Sequence, residues 1–375
     1  MDSRITTLDF SSAVPYHTGQ FPPKGFAVER VLPTLLEATD ALARYDQMLR
    51  GLRNSEILLA PLRGQEALAS SRMEGTFSTL EEVLQLQSEE EGNWEEFRSE
   101  AVETYLYART LNFARNALLE GRTISPGLIR EMHQLLLSVG RGTRKAPGAF
   151  KVEQNYVGGR GSNKVSFIPI APDHLREGLD RLMSFIDAEE WLPLLRVALA
   201  HVEFEALHPF KDGNGRLGRI LVTLLLWRLG SISEPHFYIS RYFEENKDEY
   251  IWRLRDVSAE NAWEEWCQFF LNAVTQQARQ NLAIADDTRQ LYEEMKQEFA
   301  DLLASKWSIH ALDFVFTNPV FRNSRFTQNS GIPSQTAGRF SRLLLERGLL
   351  RTVRESSGRR PAVHAFEPLL ALVRI

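Results

Sequence analysis

Apolar residues recur at intervals of three and four along most of the first 300 positions, a spacing that gathers them on one face of an α-helix. The pattern predicts helices over 27–87, with interruptions at Pro33 and Pro61, and over 97–120. Another is expected over 127–137, behind a Ser125-Pro126 start signal. Helical spacing resumes over 173–185, 192–207, 216–229, 238–254 and 262–303. Two early stretches break this rhythm. The first 27 residues hold Pro15, Gly19, Pro22, Pro23 and Gly25 without a sustained period, which predicts an extended arm pinned by Phe10, Phe21 and Phe26. Between glycine clusters at 140–148 and 158–161, residues 150–157 and 165–170 read as a β-hairpin, with Pro169 limiting its ladder. Past Ser308 the pattern changes to helices over 308–316, 325–329 and 333–346, then strands over 349–353 and 361–366 around a basic turn at 355–360. Helix, turn, helix, hairpin is the order of a winged helix-turn-helix. The expected fold is mostly α: arm and helices over 1–110, a helical core with a small hairpin over 111–300, and a winged helix over 305–375.

Charge sharpens that division. The formal net charge is −5, yet between positions 320 and 364 nine arginines face two glutamates, a local +7 that leaves −12 elsewhere. A basic module on an acidic body points to DNA or an acidic protein as its partner. At 375 residues and 43% hydrophobic, the chain can bury a large core in roughly two or three domains. Its one cysteine, Cys267, excludes an intramolecular disulfide framework. No apolar run approaches the roughly 18 residues a bilayer demands. With no signal-like start, these features predict a soluble cytoplasmic protein without a membrane partner.

The densest chemistry is the run His208-Pro209-Phe210-Lys211-Asp212-Gly213-Asn214-Gly215-Arg216-Leu217-Gly218-Arg219. Pro209 disfavours helical geometry at His208, which presents the imidazole at a loop entrance. A neutral histidine there can take a proton from an attacking hydroxyl. Asp212 supplies one hard oxygen ligand, sufficient for magnesium when phosphates complete its shell. Gly213, Asn214 and Gly215 can turn successive N–H groups into one concavity, and the helix start that follows adds its own donors and dipole. Arg216 and Arg219, three residues apart, reach around the same edge to clamp a polyanion. Phe210 reads as an inward anchor and Lys211 as solvent-facing. His201 lacks the spacing and partner cysteines of a zinc site, so it reads as a hydrogen-bonded structural residue, and Glu205 as exposed or supporting. Together the twelve residues suit a magnesium nucleotide.

They resemble the signature of the Fic family, His-Pro-Phe-x-(Asp/Glu)-Gly-Asn-Gly-Arg-x-x-Arg, at every specified position. Members generally transfer AMP from ATP to a hydroxyl side chain of a protein. The resemblance implies a protein adenylyltransferase that uses ATP and Mg2+, releases pyrophosphate and modifies a Tyr, Thr or Ser of a protein substrate, with the chain itself one candidate target. His208 would be the base and Asp212 the metal ligand. Gly213, Asn214 and Gly215 would form the anion nest, with Asn214 orienting the α-phosphate and Arg216 and Arg219 on the distal phosphates. Val165, Ser166, Phe167, Ile168 and Pro169 would be a flap that aligns the target by strand addition. Ser70-Ser71-Arg72-Met73-Glu74-Gly75 is similar to the family's inhibitory pattern, (Ser/Thr)-x-x-x-Glu-(Gly/Asn). The i,i+4 interval puts Ser70 and Glu74 on one helix face, and Gly75 permits a stop. In relatives this glutamate pairs with the second signature arginine, here Arg219, and so inhibits in cis. The same carboxylate leaves hydrolytic removal of AMP open as an alternative activity. Homodimerisation is a further implication. DNA contact by a transcriptional regulator, through Arg339, Arg342, Arg359 and Arg360, is a third whole-protein reading.

Overall fold

The computed structural model describes residues 8–51, 56–89, 94, 97–158, 163–358 and 360–373, so Arg359 lies outside the described residues. The chain divides into two compact units, 1–46 with 109–278 and 47–108 with 279–375. It passes between them within helices α1 (Val28–Arg50), α4 (Ser99–Leu119) and α11 (Trp263–Leu303). Pro33 does not interrupt α1: in its second turn the proline forfeits one N–H···O bond, and the helix continues. Likewise α2 (Glu56–Met73) runs on through position 61.

The first unit adds β1 (Val14–Pro15), α5 (Pro126–Leu136), β2 (Val157–Gly158), β3 (Val165–Ile168), α6 (Pro172–Asp187), α7 (Pro193–Leu207), α8 (Asn214–Arg228), α9 (Ser240–Glu245) and α10 (Lys247–Glu260). Helices α5, α6 and α7 each begin with proline, whose missing N–H costs nothing in a first turn. Both α7 and α8 are buried on nearly every side, as helices at the centre of a core must be. The single helix expected over 238–254 is two, parted at Asn246, whose Nδ2 and backbone N–H both donate to the Tyr242 carbonyl.

The hairpin of β2 and β3 is antiparallel, with a register shift at Val157/Gly158. A third strand joins it. The arm's β1 pairs in parallel with β3, Val14 opposite Phe167 and Pro15 opposite Ile168, and the Tyr16 N–H donates to the Ile168 carbonyl at 2.9 Å. The arm is fastened chemically as well as by packing. On α7, the buried Glu203 accepts the Tyr16 hydroxyl at 2.8 Å through one oxygen and meets His17 Nε2 at 2.8 Å through the other. The second ring nitrogen of His17 meets Ser258 Oγ at 2.7 Å. Phe21 and Phe26 pack edge-on against Phe185 and Trp191, whereas Phe10 stays largely exposed against Tyr156.

The second unit contains α2, α3 (Leu80–Ser88), α12 (Ser308–Thr317), β4 (Val320–Arg322), α13 (Asn323–Asn329), α14 (Ser334–Glu346), β5 (Leu350–Arg354), β6 (Val363–Phe366) and α15 (Glu367–Val373). Its sheet is antiparallel, in the order β4-β6-β5. Gly75 follows α2 with a φ of 68°, and the N–H groups of Gly75 and Thr76 close onto the Arg72 and Ser71 carbonyls, a left-handed helix stop. A capping box starts α3: Thr79 Oγ1 accepts from the Glu82 N–H, and the Glu82 carboxylate accepts from the Thr79 N–H. Leu68, Leu80, Val83 and Leu84 of α2 and α3 share one apolar core with Phe316, Val320, Phe340, Leu344 and Phe366. The Glu89 side chain, 1% exposed, takes the guanidinium groups of Arg322 and Arg354. Arg351 is held by Glu81 and Glu367, and Arg347 by Glu298. Four of the nine arginines that make the C-terminal stretch basic are thus matched to glutamates within their own unit.

Replacing Glu203 by alanine strands the Tyr16 hydroxyl and the His17 ring beside a cavity, which costs about 2–4 kcal/mol. Urea denaturation of E203A should show that loss, and limited proteolysis should cut residues 8–27 sooner than in the parent.

Candidate active site

The end of α7 and the start of α8 build the site. His208 caps α7 with φ 44° and ψ 61°, left-handed rather than extended, and its N–H donates to the Phe204 carbonyl. Its Nδ1 meets the Glu205 carbonyl at 3.3 Å, and because a carbonyl only accepts, Nδ1 carries the proton. In the neutral ring the lone pair therefore lies on Nε2, where a base needs it. Phe210 is fully buried, stacked on His133 at 3.8 Å and tilted against Phe150 at 5.2 Å, the anchoring expected of it. Lys211 is exposed, 3.6 Å from Glu153.

Of the three residues expected to bend into a nest, only Gly213 takes a positive φ, 79°, and it is the N-cap of α8. Asn214 and Gly215 already belong to the helix. The first intrahelical bond is Leu217 N–H to the Gly213 carbonyl, so the N–H groups of Asn214, Gly215 and Arg216 form the donor end of the helix, a place suited to phosphate. The Asn214 side chain is engaged on the loop itself: its Oδ1 accepts the Phe210 N–H at 2.9 Å and its Nδ2 donates to the Phe210 carbonyl at 2.9 Å. Arg216 and Arg219 are buried in the first two turns of α8, with Arg216 Nη2 3.8 Å from Asp212 Oδ1. That same Asp212 oxygen accepts the Gly213 N–H at 2.7 Å.

Among the described residues, no three His, Cys, Asp or Glu side chains gather into a metal cage. Asp212, 39% exposed, is a lone hard oxygen donor beside the helix N-terminus. Such a donor fits magnesium whose other ligands are phosphate oxygens and water.

His201 is structural, as its surroundings dictate. Its Nδ1 donates to the Gly218 carbonyl at 3.2 Å and its Nε2 accepts from the Tyr250 hydroxyl at 2.9 Å, tying α7 to α8 and α10. Burial, with the charge of Arg219 adding to it, pushes its pKa down to about 3.

His133 and Lys151 escaped the sequence reading as parts of this loop, and Asn155, in a segment whose likeness to the family suggests a place bordering the nucleotide, supports the loop as well. His133 accepts the Gly148 N–H through Nδ1 and donates from Nε2 to the Asp212 carbonyl. Lys151 and Asn155 bond the backbone around His208. Each lies more than 50 residues before the loop carbonyls it bonds, and no local spacing marks it.

The remaining residues singled out in the sequence are carried by other elements. Val165, Ser166, Phe167 and Ile168 form β3, and Pro169 follows it, accepting from Gln154 Nε2 at 2.9 Å. Both edges of β3 are paired, to β1 on one side and β2 on the other. Ser70, Glu74 and Gly75 belong to the second unit, at the end of α2, with Ser70 buried. Arg339 and Arg342 are exposed on α14, Arg339 donating to the Leu303 carbonyl, and Arg360 is exposed in the β5–β6 turn.

Residues 32–116 match the Fic/DOC family N-terminal domain, and residues 123–226 match the Fic/DOC family domain. The chain belongs to the Fic/DOC family. A protein adenylyltransferase fic-1 of Caenorhabditis briggsae is 34% identical over 125 residues, 32% of this chain and 23% of the relative. A protein adenylyltransferase Fic of Drosophila mojavensis is 29% identical over 208 residues, 54% of this chain and 38% of the relative. The chain spans well under half the length of these relatives. A Fic family protein from Desulfovibrio desulfuricans G20 superposes with a TM-score of 0.57 at 17% identity, over 92% of this chain and 98% of that one. Fic-1 of Caenorhabditis elegans, residues 134–508, superposes at 0.53 with 19% identity, over 70% and 76%. At these identities the likeness establishes the fold, mostly helical with small sheets.

His201 gives this Fic domain an acid sensitivity. Its folded pKa of about 3 lies below the usual 6.5, so the unfolded chain binds the extra proton between those values. Stability contributed above pH 6.5 is lost as pH falls, at up to about 1.4 kcal/mol per pH unit. His201→Asn should flatten the fall, visible as a smaller difference between urea midpoints at pH 7 and pH 4.5.

Proposed function

We propose that this chain transfers AMP from ATP to the hydroxyl of a protein Tyr, Thr or Ser. The observation that carries the reading is the single loop joining His208, whose Nδ1 meets a carbonyl, to the N-terminus of a helix that has Asp212 beside it and Arg216 and Arg219 in its first two turns. The target oxygen attacks the α-phosphorus, the bond to pyrophosphate breaks, and the hydroxyl proton passes to His208 Nε2. The N–H groups of Asn214, Gly215 and Arg216 receive phosphate oxygens, and both guanidinium groups neutralise the leaving pyrophosphate. Asp212 would hold Mg2+, which when bound screens the triphosphate charge. Asn214 acts on the α-phosphate through its backbone, since its amide steadies the loop. The names of the relatives support this chemistry.

Glu74 is read as the inhibitory residue. A carboxylate forked onto the Arg219 guanidinium excludes the γ-phosphate and leaves ATP in a pose unfit for transfer. The helix stop at Gly75 supports that reading, because it makes Glu74 the last side chain before the turn. The flap role of residues 165–169 asks more of the chain: a target strand reaches β3 only when β1 or β2 gives way. The order α12, β4, α13, α14, β5, β6 is read as a winged helix, with Ser334, Gln335, Arg339 and Arg342 of α14 facing an acidic partner, DNA among them.

Incubation with α-labelled ATP and magnesium, followed by mass spectrometry of the labelled protein, tests the proposal. E74G should label protein at least about tenfold faster than the parent chain, and H208A should abolish labelling while keeping its thermal midpoint. Equal labelling by E74G and the parent removes the inhibitory role, and persistent labelling by H208A removes the catalytic one.

A further inference from the structure

We infer that Lys151 and Asn155 are the positioning residues that hold His208 in its left-handed backbone and so aim its ring. Four consecutive carbonyls around the turn are each taken by this pair. Lys151 Nζ donates to the Leu207 carbonyl at 3.0 Å, and Asn155 Nδ2 to the His208 carbonyl at 2.9 Å. The Lys151 backbone N–H donates to the Pro209 carbonyl at 2.8 Å, and Asn155 Nδ2 again to the Phe210 carbonyl at 3.0 Å. A further bond, Lys151 Nζ to Asn155 Oδ1 at 2.8 Å, locks the two side chains together.

The left-handed region is unfavourable for a residue with a Cβ, and it persists only where the surroundings over-determine it. Here they do. Lys151 is 3% exposed, and both of the oxygens it meets are neutral. Burial lowers its pKa to about 7, the mark of an ammonium placed at a cost that a leucine or methionine would avoid. The placement has a use at the carbonyl end of α7, where a cation also meets the negative pole of the helix. Neither residue touches nucleotide in this scheme; both act through the backbone of His208.

Where catalysis is the readout, the test rests on the AMP-transfer reading; a spectroscopic readout keeps the two separate. In the full-length E74G chain, K151M and N155A should lower kcat roughly 10–100-fold, with KM for ATP unchanged within about threefold. Both should move the His208 ring resonances in histidine-labelled protein. K151R keeps a donor for the Leu207 carbonyl and should recover kcat to within about fivefold of E74G. N155A, at a half-buried position, carries the test if K151M does not fold. Rates within about twofold of E74G, or unmoved His208 resonances, overturn the inference. If E74G itself transfers no AMP, the transfer reading falls, and the resonances alone decide the positioning role.

Discussion

The left-handed turn at His208 is the constraint from which the site's geometry follows. It costs on the order of 1 kcal/mol in a residue with a side chain, and it stops α7 within one residue. Pro209 has no N–H to resume the helix, Phe210 drops into the core against His133 and Phe150, and the reciprocal bonds of Asn214 close the loop. The chain then turns at Gly213 directly into α8. His208 and the N-terminus of α8 are consequently held to one another, because the six-residue connection is bonded at nearly every carbonyl.

What the sequence revealed, and what it hid, follows from how far apart the cooperating residues lie. The residues of the candidate site are contiguous, so their types and order suggested a chemistry at once. Their supports are not: the Lys151 ammonium bonds the end of a helix 56 residues later. Asn214 looks like a ligand and instead spends its amide on Phe210. Helices α5, α6 and α7 fell within two residues of expectation, and proline opens each of them, though only Pro126 was read as a start signal. Strand β1, two residues long and containing a proline, has no period to read; it exists because β3 offers an edge and Glu203 anchors the residues that follow.

Charge shows the same limit. Counting arginines over 320–364 suggested a surface with a strong positive field, but composition cannot report partners. Glu81, Glu89, Glu298 and Glu367 absorb much of that field. The cations that still face solvent on α14 are few, and a partner meeting them would be recognised by shape as much as by charge.

The sharing of one core by α2, α3 and the C-terminal elements bears on how such a protein can be rearranged by evolution. The last seventy residues have the boundaries of an exchangeable cassette, yet their Phe316, Val320 and Phe366 close over leucines contributed from positions 68–84, and their arginines close over Glu89. A recombination event that swapped the tail alone would expose that leucine surface and maroon a carboxylate with no cation to meet it. Successful shuffling would have to carry α2 and α3 along, so the segment bearing Glu74 and the tail form one packing unit although 219 residues separate the end of α3 from the start of α12.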